Sequence, residues 1–155
     1  MQIQFLYYLN TETIKKNLVR YNLQTISKQA LYDVLAVSEI IIYDTKSGTI
    51  LFFEGELFGF INYLKGAIIG FRRGDKDRVG ALSIEQLYSF EFKIIDEEFQ
   101  IIDTNSDRIV CFNYNQLFKS FKIFYKKVLD DLLYHYPLLS ENEYFQETLL
   151  KSDYW

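Results

Sequence analysis

Residues 113–137 carry the longest helical pattern in the chain, and it dictates much of what the remainder must build. Leu117, Phe118, Phe121, Phe124, Tyr125, Val128, Leu132, Leu133 and Tyr136 recur at steps of three and four. That spacing gathers them into one apolar stripe along an α-helix. Asn113 stands where a cap belongs, with Gln116 three residues on as in a capping box, and Phe112 and Leu117 placed as a hydrophobic staple. Pro137 disfavours helical geometry at Tyr136 and stops the run. About 22 helical residues reach roughly 33 Å. A stripe of that length, so rich in rings, needs a broad apolar surface to cover it, and a sheet provides one.

At 155 residues the chain reads as one domain, residues 1–155. It uses 13 Tyr and 14 Phe, enough aromatic bulk for a sizeable core with some rings left over for a surface. The Ile, Lys, Tyr, Phe and Asn usage suits an AT-rich bacterial genome. The net charge of −4 argues against bulk attraction to nucleic acid or an anionic membrane. The charge is uneven: residues 1–80 hold 10 basic and 8 acidic side chains, residues 81–155 hold 7 and 13. Cys111 is the single cysteine, so no intrachain disulfide forms, which fits a reducing, cytoplasmic setting. The apolar run at residues 5–9 is too short for a signal peptide. Residues 50–71 are apolar but interrupted by Glu54, Glu56 and Lys65, so they read as a strand and a buried helix rather than a membrane span.

Taken in order, residues 2–9 alternate as a strand, with Ile3, Phe5, Tyr7 and Leu9 on one side. Residues 10–30 allow either a short helix capped by Thr11 or Thr13 or an extended polar connection. Residues 31–44 read as a long strand, with Tyr32, Val34, Ala36, Ile40 and Ile42 on one face. Asp44-Thr45-Lys46-Ser47-Gly48 is a turn, and residues 49–53 return as the second arm of a hairpin. Leu57, Ile61, Leu64 and Ile68 then take helical spacing over residues 56–70, among Gly55, Gly59, Gly66 and Gly70. These glycines read as close packing on the sheet rather than as a membrane-type helix pair. Residues 71–80 read as a loop, with Arg72, Arg73, Lys76 and Arg78 beside Asp75 and Asp77. A three-stranded meander follows. Its clearest strand has Tyr88, Phe90, Phe92 and Ile94 on one face and Ser89, Glu91 and Lys93 on the other, and residues 99–102 and 108–112 complete it around the turn at 103–107. After the main helix, Ser140 with Glu143, and Leu139 with Tyr144, mark a last helix over about 140–151. The fold class is α+β: a mostly antiparallel sheet backed by a glycine-containing helix and a long amphipathic one.

The chemistry available is narrow. One His and one Cys offer no zinc site, and no phosphate loop, nucleophile elbow or dinucleotide fingerprint occurs. No metal or cofactor is implied. His135 and Cys111 could pair as base and nucleophile, but a helix C-terminus favours a charged His135, and a mid-strand Cys111 fits a small buried thiol. Glu54 and Glu56 are two residues apart and could share acid–base work. The bland reading is a solvated strand end leading into a helix N-terminus, where acids are favoured. Lys119, Lys122, Lys126 and Lys127 on the main helix could form an anion-binding stripe, but Asp130 and Asp131 follow at once, and the bland reading is a solvated helix face. Glu91, Asp96, Glu97, Glu98, Asp103 and Asp107 fall on the wet side and turns of the meander, diluted only by Lys93 and Arg108. They serve solubility, or they form a binding face for a basic protein such as a nucleic-acid enzyme.

The order strand, hairpin, Gly-containing helix, meander and long helix resembles small bacterial immunity proteins paired with polymorphic or contact-dependent toxins. The text that carries the likeness is ILFFEGELFGFINYLKG and FEFKIIDEEFQIIDTNSDRIVCFNYNQLFKSFKIFYKKV, within residues 31–136. The resemblance implies a cytoplasmic, non-catalytic protein that binds one toxin domain, for instance a nuclease, and blocks it. On that expectation Glu91, Asp96, Glu97, Glu98, Asp103 and Asp107 form the partner-binding face. The alternatives are a small enzyme or ligand-binding domain using Glu54 and Glu56, and a structural adaptor.

Overall fold

The computed structural model describes residues 2–74, 78–84 and 88–150; for 78–84, 88 and 89 this is the backbone course. The expectations placed on Asp75, Lys76 and Asp77, and on Lys151 at the end of the last helix, lie outside the described residues. The chain is α+β, and every strand pairing is antiparallel. Strands β1 (Ile3–Tyr8), β2 (Val37–Asp44) and β3 (Ile50–Glu56) form one sheet in that order. Strands β4 (Arg78–Ile84), β5 (Tyr88–Ile95), β6 (Glu98–Asp103) and β7 (Arg108–Phe112) form a second, a simple meander. Helices α1 (Thr11–Arg20) and α2 (Lys28–Ala30, running into a π turn at Leu31–Leu35) connect β1 to β2. Helix α3 (Leu57–Arg73) follows β3 directly, and α4 (Tyr114–His135) follows β7.

Four local expectations change. The 31–44 run is not one strand. Leu31 and Leu35 are buried on the π turn, and β2 starts only at Val37. Apolar residues at 31 and 35 satisfy a helical spacing as well as an alternating one, and the cap at Ser27, whose hydroxyl accepts from Ala30 N at 3.1 Å, settles the matter. The cap of α1 is Asn10, which accepts from Thr13 N. The expected loop at 71–80 is helical at its start, where α3 runs on to Arg73, and at its end enters a strand, residues 78–84, that pairs with β5 and extends the meander to four strands. After α4 there is a 3-10 turn (Pro137–Glu141) and then a π turn (Phe145–Leu150) whose entry is capped by Asn142, not Ser140.

Both sheets and all the helices turn onto one core. Phe5 of β1 stands 5.5 Å from Phe60 of α3, from Phe112 of β7 and from Phe124 of α4. Phe53 of β3 meets Phe90 of β5 at 4.8 Å. Rings packed at these separations and mostly edge-on or tilted add to what their burial contributes. The capping box of α4 is made in full by Asn113 and Gln116. The free edge of β1 is closed by α4: Ser120 Oγ, itself buried, donates to the Ile3 carbonyl at 2.8 Å, and the Tyr7 hydroxyl donates to Asp131. Covering an edge in this way removes a site of strand addition.

Candidate functional site

The meander acids do not form one patch. Asp96 and Glu97 make the tight turn between β5 and β6, and Glu98 opens β6; Asp103 and Asp107 sit at the other end of the strands. The six residues of β6 separate the two ends by about 17–20 Å. Most of these acids have local structural work. Asp103 accepts from Asn105 N at 3.0 Å and from the Ser106 hydroxyl at 2.8 Å. Asp96 and Asp107 take left-handed backbone, φ 55° and 56°, which Asp tolerates better than most residues. Glu91 lies 3.2 Å from the Lys93 ammonium on its own strand. Only Glu97 and Glu98 remain as exposed acids with no such role apparent.

The turn between β2 and β3 is built in the same way. Asp44 accepts from Lys46 N at 3.0 Å and from the Ser47 hydroxyl at 2.9 Å, and Gly48 takes φ 73°. The D-T-x-S sequence thus recurs in structure as well as in text. Burial pushes the Asp44 carboxyl up, but hydrogen bonds from Ser47, Lys46 N and Gln2 outweigh it and hold the group below its ordinary value. The first of these turns meets the start of β7 at a shallow cleft of about 300 Å³ lined by Ser47, Gly48, Thr49, Ile50, Arg108 and Ile109. There Arg108 Nη1 donates to the Ile50 carbonyl at 3.2 Å and ties one sheet to the other. A second open cleft, about 470 Å³, lies among Phe71, Gly74, Asp96, Glu97, Asn113 and Tyr114.

Glu54 and Glu56 both leave the outer side of β3, but their surroundings differ. Burial raises the Glu56 carboxyl, and a hydrogen bond to Asp33 with its charge raises it further. Glu54 instead faces Glu39 across the β2–β3 hairpin. Neither of the two clefts contains either glutamate. Cys111 is half-buried on the outer side of β7, its thiol pushed up by burial and then by the charges of Glu98 and Asp44. His135 is at the far end of the 22-residue helix that begins just after β7, roughly 30 Å away by helix geometry. A nucleophile and its base must lie within hydrogen-bond reach, so these two do not pair. The lysine stripe of α4 is largely engaged: Lys126 and Lys127 pair with Asp130 and Asp131, each at 2.6 Å, and Lys122 lies over the Phe118 ring. Among the described residues no group of three His, Cys, Asp or Glu is placed to hold a metal, and no helix is long and apolar enough to cross a membrane.

What residue-by-residue reading missed is the outer side of the β1–β2–β3 sheet. Cross-strand register aligns Leu6, Ile41 and Phe52 in one row, Gln4, Tyr43 and Ile50 in the next, and Tyr8, Glu39 and Glu54 in the row on the other side. Leu6, Tyr8, Val37, Ile50 and Phe52 are 36–59 % exposed. Among the described residues α3 and α4 pack on the inner faces instead. The signal was present in the text: counting outward from the Asp44–Gly48 turn pairs Glu39 with Glu54 and collects the apolar residues between them. Compared with known protein families, with curated proteins and with solved structures, the chain matches none.

Proposed function

We propose that this chain is a non-catalytic binding protein of the immunity type, which neutralises a cognate bacterial toxin domain in the cytoplasm. The observation that carries the reading is the exposed apolar outer side of the β1–β2–β3 sheet. Five large apolar residues stand exposed there on regular, hydrogen-bonded strands. An apolar surface held on a rigid sheet suits a protein partner, since little conformational freedom is lost when it docks. Polar residues at its margins, Gln4, Glu39 and Glu54, fit the pattern of an apolar centre inside a polar rim. The separation of Cys111 from His135 and the exposed setting of Glu54 give catalysis no comparable support. The test is to purify the chain with the toxin domain encoded beside it and to measure complex formation by size-exclusion chromatography with light scattering. A stable complex, together with rescue of cells expressing the toxin, supports the reading. No complex at micromolar concentration and no rescue would overturn it.

A further inference from the structure

We infer that the outer side of the β1–β2–β3 sheet recognises a partner surface in which an apolar side chain is flanked by lysine or arginine, the cation seating between Glu39 and Glu54. This rests on the binding reading above and names the chemistry of the partner. Glu39 and Glu54 are direct cross-strand neighbours in the β2–β3 hairpin, and both are exposed. Neither has an ion-pair partner among the described residues. Like charges placed directly opposite each other destabilise a sheet. A cation between them converts that repulsion into two attractions. Glu91 and Asp103 of the meander differ in this respect, since Glu91 has Lys93 and Asp103 has its own turn.

The position of the pair adds the second half of the specificity. The row Leu6–Ile41–Phe52 lies two residues along the same strands, on the same face, about 7 Å away. Tyr8, 59 % exposed, completes the acidic row beside Glu39 and offers a ring face to a cation. The partner thus needs a positive charge and an apolar group at about that separation. An alternating or helical segment provides it. An uncharged apolar partner would leave the two carboxylates desolvated and unpaired, which is a strong penalty against it. A second copy of this chain would bring further glutamates to the same place.

The experiment uses the full chain, ¹⁵N-labelled, and two synthetic probes of equal length: an eight-residue peptide alternating Lys and Leu, and its Glu–Leu counterpart. Two-dimensional NMR titration reads which amides move. The Lys–Leu peptide should shift Leu6, Glu39, Ile41, Phe52 and Glu54, and bind about tenfold or more tightly than the Glu–Leu peptide. The double variant E39K/E54K should reverse that order. E97K/E98K on the meander changes the net charge equally and should leave the order intact. E39Q/E54Q, which keeps the side-chain shape, should bind both peptides alike while its thermal unfolding stays close to that of the parent. Shifts elsewhere, an order unchanged by E39K/E54K, or an order lost equally in E97K/E98K would overturn the inference. So would a concentration-dependent dimer in sedimentation, with the same amides shifting on dilution. Peptide recognition without a toxin complex would retain this surface and discard the inhibitor. A toxin complex whose association is indifferent to E39K/E54K would do the reverse.

Discussion

On the meander, Asp103 holds the amide of Asn105 and the hydroxyl of Ser106, and Glu91 holds Lys93; on the three-stranded sheet, Glu39 and Glu54 face each other across a hairpin. At Asp103 and Glu91 the charge serves the local fold, whereas at Glu39 and Glu54 it opposes it. Natural sequences mostly agree with themselves at every level, so a local conflict on an exposed and apolar face suggests function rather than stability. A count of acidic residues ranks the meander first. Assigning each carboxylate its hydrogen bonds ranks the other sheet first.

The largest effect should come from crossing β3 from its inner to its outer side. Phe53→Ala removes a fully buried ring and should cost about 3–5 kcal/mol. Ile50→Ala, at a residue 47 % exposed, should cost less than about 1 kcal/mol in the same urea melts. Similar losses at both positions would mean that the outer face is part of the fold and break the comparison. Next in size is the turn carboxylate. Asp103→Ala deletes two hydrogen bonds and should cost about 1–2 kcal/mol, whereas Glu54→Gln should raise stability by about 0.2–1 kcal/mol by relieving the cross-strand repulsion. That gain should shrink in high salt. A loss in Glu54→Gln would show that the carboxylate is satisfied after all.

The two D-T-x-S turns sharpen the same contrast, because their fifth residues share a left-handed backbone but differ in side chain. Gly48→Ala has open space for its Cβ, so only backbone strain acts, and calorimetry should find a loss of about 1 kcal/mol. Asp107→Gly should gain up to about 1 kcal/mol for the converse reason. The smallest effect is one of pH. The Glu56 carboxyl is raised by burial and by Asp33, so the folded chain binds a proton that the unfolded chain has already released. Its contribution is therefore present at low pH and is lost as pH rises through the folded-state value. Glu56→Gln cannot ionise and should flatten that part of the stability profile, read from urea midpoints between about pH 4 and pH 7. An unchanged slope would remove the Asp33–Glu56 contact from the account.

Much of the fold was legible because its cues are local. The capping box at Asn113 and Gln116, the stop at Pro137 and the alternation around Phe90 and Phe92 each act within a few residues. So does the turn chemistry at Asp44 and Asp103. The acidic residues of the meander were equally visible, but not the tasks that their turns give them.

Contacts distant in sequence decided the rest. Residues 10–30 carry two competing patterns, and the choice is made about a hundred residues away. Asn17 donates to the Tyr136 hydroxyl at 3.2 Å, and the Asn142 amide donates to the carbonyls of Leu23 and Ile26 at 3.2 and 3.1 Å. A buried amide has to find such partners, and no local rule says where they are. The division of the strands into two sheets joined at β3 and β7, with Phe5 packed on Phe112, is likewise a matter of how the inner faces share one core. By itself the amino-acid sequence determined which residues are apolar, where helices start and which turns reverse the chain, since these follow from period, caps and φ preferences. Only the tertiary structure decided which apolar residues stay outside. Every strand has two faces, and the core, once filled by α3, α4 and both inner faces, leaves the outer apolar residues of β1, β2 and β3 exposed.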